Sequence, residues 1–164
     1  MSPGQKPSAF GPNPWQQAHW DWRAATNFIL GGTGSGLIVA AALALTAPPV
    51  TRLALLAGLL LVAAGLGTVW LEIGRKLRAA NVFFNPLTSW MTRESYAAGL
   101  LFALGGCALA LEAAWLAYAA ALAAALFAWC QARILRASKG IPAWRLPQVV
   151  PLVAATALAE GARL

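Results

Sequence analysis

Four stretches of this chain run without a charged side chain: 24–51, 53–71, 95–111 and 113–132. Runs of this kind constrain a fold more than any motif does. A bilayer's hydrocarbon core takes roughly 20 apolar residues of helix to cross. Backbone groups inside lipid must be satisfied within the segment, so only helices and closed barrels can span it. The runs here are continuous and rich in Ala and Leu, with no period-two alternation, and therefore read as helices rather than barrel strands. The expected fold is an all-α integral membrane protein: a four-helix transmembrane bundle plus the start of a fifth span. The spans are expected at about 24–48, 52–73, 93–111 and 113–135, with a partial one at 148–161. Pro48 and Pro49 are expected to close the first, and a tight turn near Glu112 to join the third and fourth. Residues 1–22 form a polar tail with Pro3, Pro7, Pro12 and Pro14, which does not read as a signal peptide; 23–164 form the transmembrane domain. Only 10% of the 164 residues are charged and 60% are hydrophobic, against about 25% charged in soluble domains. That balance excludes both a water-soluble fold and intrinsic disorder.

The formal net charge of +7 follows the topology. Arg75, Lys76, Arg78 and Arg93 lie between the second and third spans, and Arg133, Arg136, Lys139 and Arg145 follow the fourth. The opposite connections hold Arg52 and Glu112. The positive-inside rule then places the N-terminus and the 72–94 and 133–147 loops in the cytoplasm. The basic residues need a lipid membrane as partner and no nucleic acid, since no reader motif accompanies them. Trp15, Trp20 and Trp22 read as an interfacial belt ahead of the first span.

Few residues can carry chemistry. A single histidine, His19, excludes a bis-histidine haem, and Cys107 and Cys130 cannot build a metal or cluster site; no haem and no metal is expected. Gly31-Gly32-Thr33-Gly34-Ser35-Gly36 lacks the strand that a dinucleotide loop needs. It reads either as close helix packing through Gly32 and Gly36 or as the lining of a cavity for a flat ligand such as a quinone ring. Glu72 and Glu94 bracket the second loop, Glu72 within ion-pairing distance of Arg75 and Lys76 along a helix. Glu94 follows Arg93 near the start of the third span, with Thr92 as an expected cap and the helix dipole favouring the acid. Such carboxylates mark a proton or ligand path, or they are interfacial charges reaching for water. Asn27, polar inside an apolar run, reads as an interhelical hydrogen bond.

The segments WDWRAATNFILGGTGSG (20–36) and LEIGRKLRAANVFFNPLTSWMTRE (71–94) resemble the polysulfide reductase NrfD family, which includes the anchor subunit of dimethyl sulfoxide reductase. The matching positions are Glu72, Gly74, Arg75, Arg78, Ser89, Trp90, Arg93 and Glu94. The WDWRAATNF opening is most similar to membrane subunits of phenylacetyl-CoA:acceptor oxidoreductases. The resemblance covers 15–164 and implies a haem-free quinone- or quinol-binding membrane anchor subunit in a prokaryotic inner membrane. Such a subunit serves anaerobic respiration and is not itself catalytic. It passes electrons between the quinone pool and a four-cluster ferredoxin-like iron–sulfur subunit, itself joined to a molybdopterin subunit. Glu72 or Glu94 would accept the proton, with Glu72 standing where some relatives have histidine. Ser89 would donate a hydrogen bond, Arg75 and Arg93 would tune the acid, and Asn27 would line the same site. Lys76 and Arg78 would hold the docking face. Family members consist of two related halves, and this chain resembles the first. The alternatives are a small transporter or channel half with no redox role, gated by the 72–94 loop, and a purely structural assembly anchor.

Overall fold

Each uncharged run supplies most of one helix in the computed structural model, which describes residues 21–44, 48–72, 81–138 and 141–164. The helices are α1 (Trp22–Leu43), α2 (Pro48–Glu72), α3 (Trp90–Leu111), α4 (Ala114–Ala137) and a shorter apolar α5 (Val149–Gly161). At 1.5 Å per residue the first four extend about 33–38 Å, enough to cross a bilayer, whereas α5 covers about 20 Å. All four are apolar enough for a membrane span. Among the described residues there is no strand. The chain is an all-α, multi-pass membrane bundle.

Local chemistry sets the helix ends. Asp21 caps α1, its carboxylate accepting from the Arg23 amide at 2.8 Å. Ser89 caps α3 by accepting from the Thr92 amide at 3.3 Å. The cap is thus Ser89 rather than the expected Thr92, which is buried in the first turn. The α3–α4 connection is as tight as expected: Glu112 adopts a left-handed conformation with φ of 53° and Ala113 is the extended residue just before α4. Pro48 and Pro49, expected to end the first span, instead begin α2, while α1 stops at Leu43. The first turn of a helix leaves its N–H groups without intrahelical partners, so proline loses nothing there.

Helices α2 and α3 each bury one stripe, while α1 and α4 bury a wider face. On α2 the stripe is Leu55, Gly58, Leu59, Val62 and Gly65; on α3, Glu94, Ala97, Ala98, Leu101, Gly105 and Ala108. The face on α4 includes Ala120, Ala124, Phe127 and Gln131. Helices α1 and α4 are the most enclosed, and α2 and α3 are open on their outer faces. The outer surface carries exposed Leu53, Leu56, Leu60, Leu100, Leu122 and Leu126. In water such a surface would aggregate; in lipid it costs nothing.

Small residues bring the helices close. A Cβ on Gly34 would lie 2.6 Å from the Gly58 carbonyl oxygen of α2. One on Gly32 would lie 3.4 Å from the Ala157 side chain, and one on Gly36 would lie 2.7 Å from the Ala157 carbonyl carbon, both on α5. Of the two sequence readings for this glycine run, close packing is the one realised. Thr33 adds a polar link, donating to Glu160 at 2.8 Å.

The antiparallel hairpins gather the start of α1, the end of α2, the start of α3 and the end of α4 at one end. There Thr68 donates to the Arg23 carbonyl at 3.1 Å, and Arg133 of α4 lies over Trp90 of α3. The opposite end carries the exposed Arg52–Glu112 ion pair.

Candidate functional site

Three of the buried faces end in a polar residue, and these three residues meet. Asn27 of α1, Glu94 of α3 and Gln131 of α4 are each at most 6% exposed. They sit four to six residues in from the helix ends at the arginine-bearing end, about 6–9 Å along the axes. The Glu94 carboxyl lies beside the side-chain amides of both Gln131 and Asn27. Gln131 Nε2 donates to the Asn27 backbone carbonyl at 3.3 Å, which ties α4 to α1.

Glycines make this arrangement possible. A Cβ on Gly31 would lie 2.5 Å from Gln131 Nε2 and 3.0 Å from Oε1, so any larger residue would have to push the amide aside. On α2, a Cβ on Gly65 would approach the Asn27 carbonyl oxygen to 3.1 Å and Asn27 Oδ1 to 3.3 Å. Both glycines let the backbone close around the polar group.

Hydrogen bonding in the cluster is incomplete. Glu94 Oε1 and Asn27 Oδ1 are buried acceptors with no donor among the described residues. An orphaned buried acceptor costs about 1–3 kcal/mol, and a carboxyl inside a membrane bundle is expensive in its own right. The arrangement can take up a proton at Glu94 and can offer amide N–H groups to an incoming oxygen.

Several expected site residues lie elsewhere. The structure brings Asn27 and Glu94 together, and Glu94 is a buried group rather than an interfacial charge reaching water. It also sits beyond the first turn of α3, which holds no acid, so the expected dipole contact is not made. Ser89 spends its oxygen on the helix cap. Arg93 turns away from Glu94: its guanidinium donates to the carbonyls of Pro86 at 2.8 Å and Leu87 at 2.7 Å. Consecutive residues on a helix point about 100° apart, so Arg93 and Glu94 cannot share a face. Arg93 acts with its neighbours as a clamp on the 81–89 segment. Thr92 donates to the Val82 carbonyl at 2.5 Å and Tyr96 to the Phe83 carbonyl at 2.8 Å. The Glu72 side chain and Arg75, Lys76 and Arg78 lie outside the described residues.

Gln131 is the residue that sequence reasoning missed. It is the only side-chain amide in the fourth run, and a lone amide among Ala and Leu was the available signal. The cavity expected beside the glycines is a cleft of about 60 Å³ between α1, α4 and α5, bordered by Ser35, Gly36 and Ala157. Pockets for small molecules usually occupy about 300 Å³ or more, so this cleft is a packing gap.

No protein-family model, curated protein or solved structure matches the chain.

Proposed function

We propose that the chain is a quinone- or quinol-reactive membrane subunit in which Glu94 accepts a proton beside Asn27 and Gln131. The observation that carries this reading is the buried Glu94 carboxyl with an unpartnered oxygen, flanked by two amides near one end of the bundle. Quinol oxidation delivers two protons and two electrons, so a site for it needs a proton acceptor and donors for the ring oxygens. Glu94 supplies the acceptor and the amides of Asn27 and Gln131 supply the donors. The orphaned oxygens are suited to a ligand hydroxyl, which would give them the donor they lack.

The motif resemblance around 71–94 supports the same reading. It extends the site to Glu72 and Arg75, and it puts Lys76 and Arg78 on a face docking an iron–sulfur subunit, beyond which a molybdopterin subunit would act. Ser89 and Arg93 then serve the site indirectly, by fixing the start of α3 and the 81–89 segment. The positive-inside rule favours a cytoplasmic side for this end, and the resemblance implies a prokaryotic inner membrane.

Two measurements test the proposal. In the assembled complex, Glu94→Gln should abolish quinol-linked turnover and leave turnover with artificial dyes intact. Normal quinol turnover in that variant refutes the role of Glu94. In nanodiscs, the full chain should bind a quinone analogue saturably, read by quenching of its tryptophans. Gln131→Leu should weaken that binding about tenfold, the worth of one hydrogen bond. Solute or proton flux through liposomes holding the chain alone, with no quinone binding, would instead favour the transporter reading.

A further inference from the structure

The arginine-bearing end holds a second group of side chains that the buried cluster does not use. The Arg93 guanidinium carbon lies 4.2 Å from the centre of the Trp90 ring, and that of Arg133 lies 4.4 Å from the same centre. Two cations at one indole gain from the ring and repel each other. Among the described residues neither meets a carboxylate, since the ion pairs there are Arg23–Asp21 and Arg52–Glu112. Glu94, the acid next to Arg93 in sequence, faces the bundle interior. Arg93 is held in place by the carbonyls of Pro86 and Leu87, so ring and cation are set before any ligand arrives.

Below Arg133 the outer face of α4 continues as Trp129, Leu126 and Leu122, spaced three or four residues apart and all exposed. Such spacing makes one stripe on a helix, here about 16 Å long. A cation pair therefore stands at the interfacial end of an apolar wall that faces the bilayer.

We propose that Trp90, Arg93 and Arg133 bind the phosphodiester headgroup of an anionic lipid, with an acyl chain along Trp129, Leu126 and Leu122. Guanidiniums suit phosphate oxygens through paired, charge-assisted hydrogen bonds, and basic pockets between transmembrane helices hold anionic headgroups. The apolar wall favours a lipid over an acidic protein segment, which would have no use for it. The site shares no ligand-facing group with the Asn27–Glu94–Gln131 cluster and stands independently of the quinone reading.

The test uses the full chain in nanodiscs of phosphatidylcholine with or without phosphatidylglycerol. Phosphatidylglycerol should raise the melting temperature and remain bound after mild delipidation, read by native mass spectrometry. Arg133→Gln should lower that retention about fivefold, the equivalent of about 1 kcal/mol for one interfacial cation. Arg136→Gln, an exposed arginine one turn further on, should leave it unchanged. Melting in pure phosphatidylcholine checks that both variants fold. Equal losses from the two substitutions would reduce the effect to bulk surface charge and overturn the proposal. Stabilisation by inorganic phosphate alone would also overturn it, as would a wild-type chain that retains no anionic lipid and leaves this end to an acidic protein.

Discussion

Replacing Gly36 by alanine tests the packing of α5 on α1 directly. The added Cβ would lie 2.7 Å from the Ala157 carbonyl carbon and 3.2 Å from Gly161 Cα, with the Ala157 oxygen closer still. All of these are backbone atoms, so no side chain can rotate to make space. Restoring 2.7 Å to the 3.4 Å of ordinary contact moves α5 outward by at least 0.7 Å. The Thr33–Glu160 hydrogen bond, now 2.8 Å, would then stretch to the limit of its range. Overpacking costs roughly 1–3 kcal/mol and the weakened hydrogen bond about 1 kcal/mol. Alanine also gains helix propensity over glycine, by up to about 1 kcal/mol. Gly106→Ala cancels that gain in comparison, because nothing lies within 4 Å of a Cβ at Gly106. Gly36→Ala should therefore unfold about 2–4 kcal/mol more easily than Gly106→Ala. Denaturant titration in mixed micelles, followed by helical circular dichroism, measures the difference. Equal midpoints for the two variants would refute the close α1–α5 contact.

Three further outcomes follow from single residues. Glu94→Gln removes one orphaned acceptor and offers an N–H donor to the other, Asn27 Oδ1, and should raise the unfolding free energy by about 1–2 kcal/mol in the same micelle titration; a lowered midpoint contradicts the cluster geometry. Glu112→Gly should be neutral or stabilising by up to about 1 kcal/mol. It removes left-handed strain and gives up only an exposed ion pair with Arg52, whereas Glu112→Val should cost about 2 kcal/mol, and equal stabilities would count against the left-handed turn. Ser89→Ala should cost about 1 kcal/mol through the lost cap and speed amide exchange in the first turn of α3; unchanged exchange there would show that the cap contributes nothing.

The spans and the Glu112 turn were legible because lipid demands long uncharged helices whatever they pack against. Which face of each helix turns inward was not. A bilayer accepts Leu53 and Leu60 on the outside as readily as the core accepts Leu55 and Leu59, so hydropathy carries no face. Glycines help only in part. Gly31, Gly34, Gly36, Gly58 and Gly65 all meet a neighbouring helix, while Gly67, Gly99 and Gly106 meet nothing. Asn27 and Glu94 could be singled out because a polar group in an apolar run needs a partner. That the partner is Gln131, more than thirty residues beyond Glu94, depends on α4 crossing both α1 and α3, and no local pattern records that crossing.

Arg93 and Glu94 show how a helix separates two residues that the sequence places side by side. Side by side in sequence, both read as candidates for the same chemistry. The helix separates them. Glu94 continues the stripe that passes through Ala97, Ala98 and Leu101 into the core. Arg93 projects to the interface, onto Trp90 and the carbonyls of the 81–89 segment. The acid is thereby isolated from the nearest cation, and it is left to the amides of Asn27 and Gln131. An arginine able to reach Glu94 would satisfy the carboxylate with a permanent ion pair and remove its capacity to take up a proton. The amides hold the carboxyl in place and leave one of its oxygens open, so the proposed proton exchange rests on the Glu94–amide arrangement rather than on the Arg-Glu dipeptide.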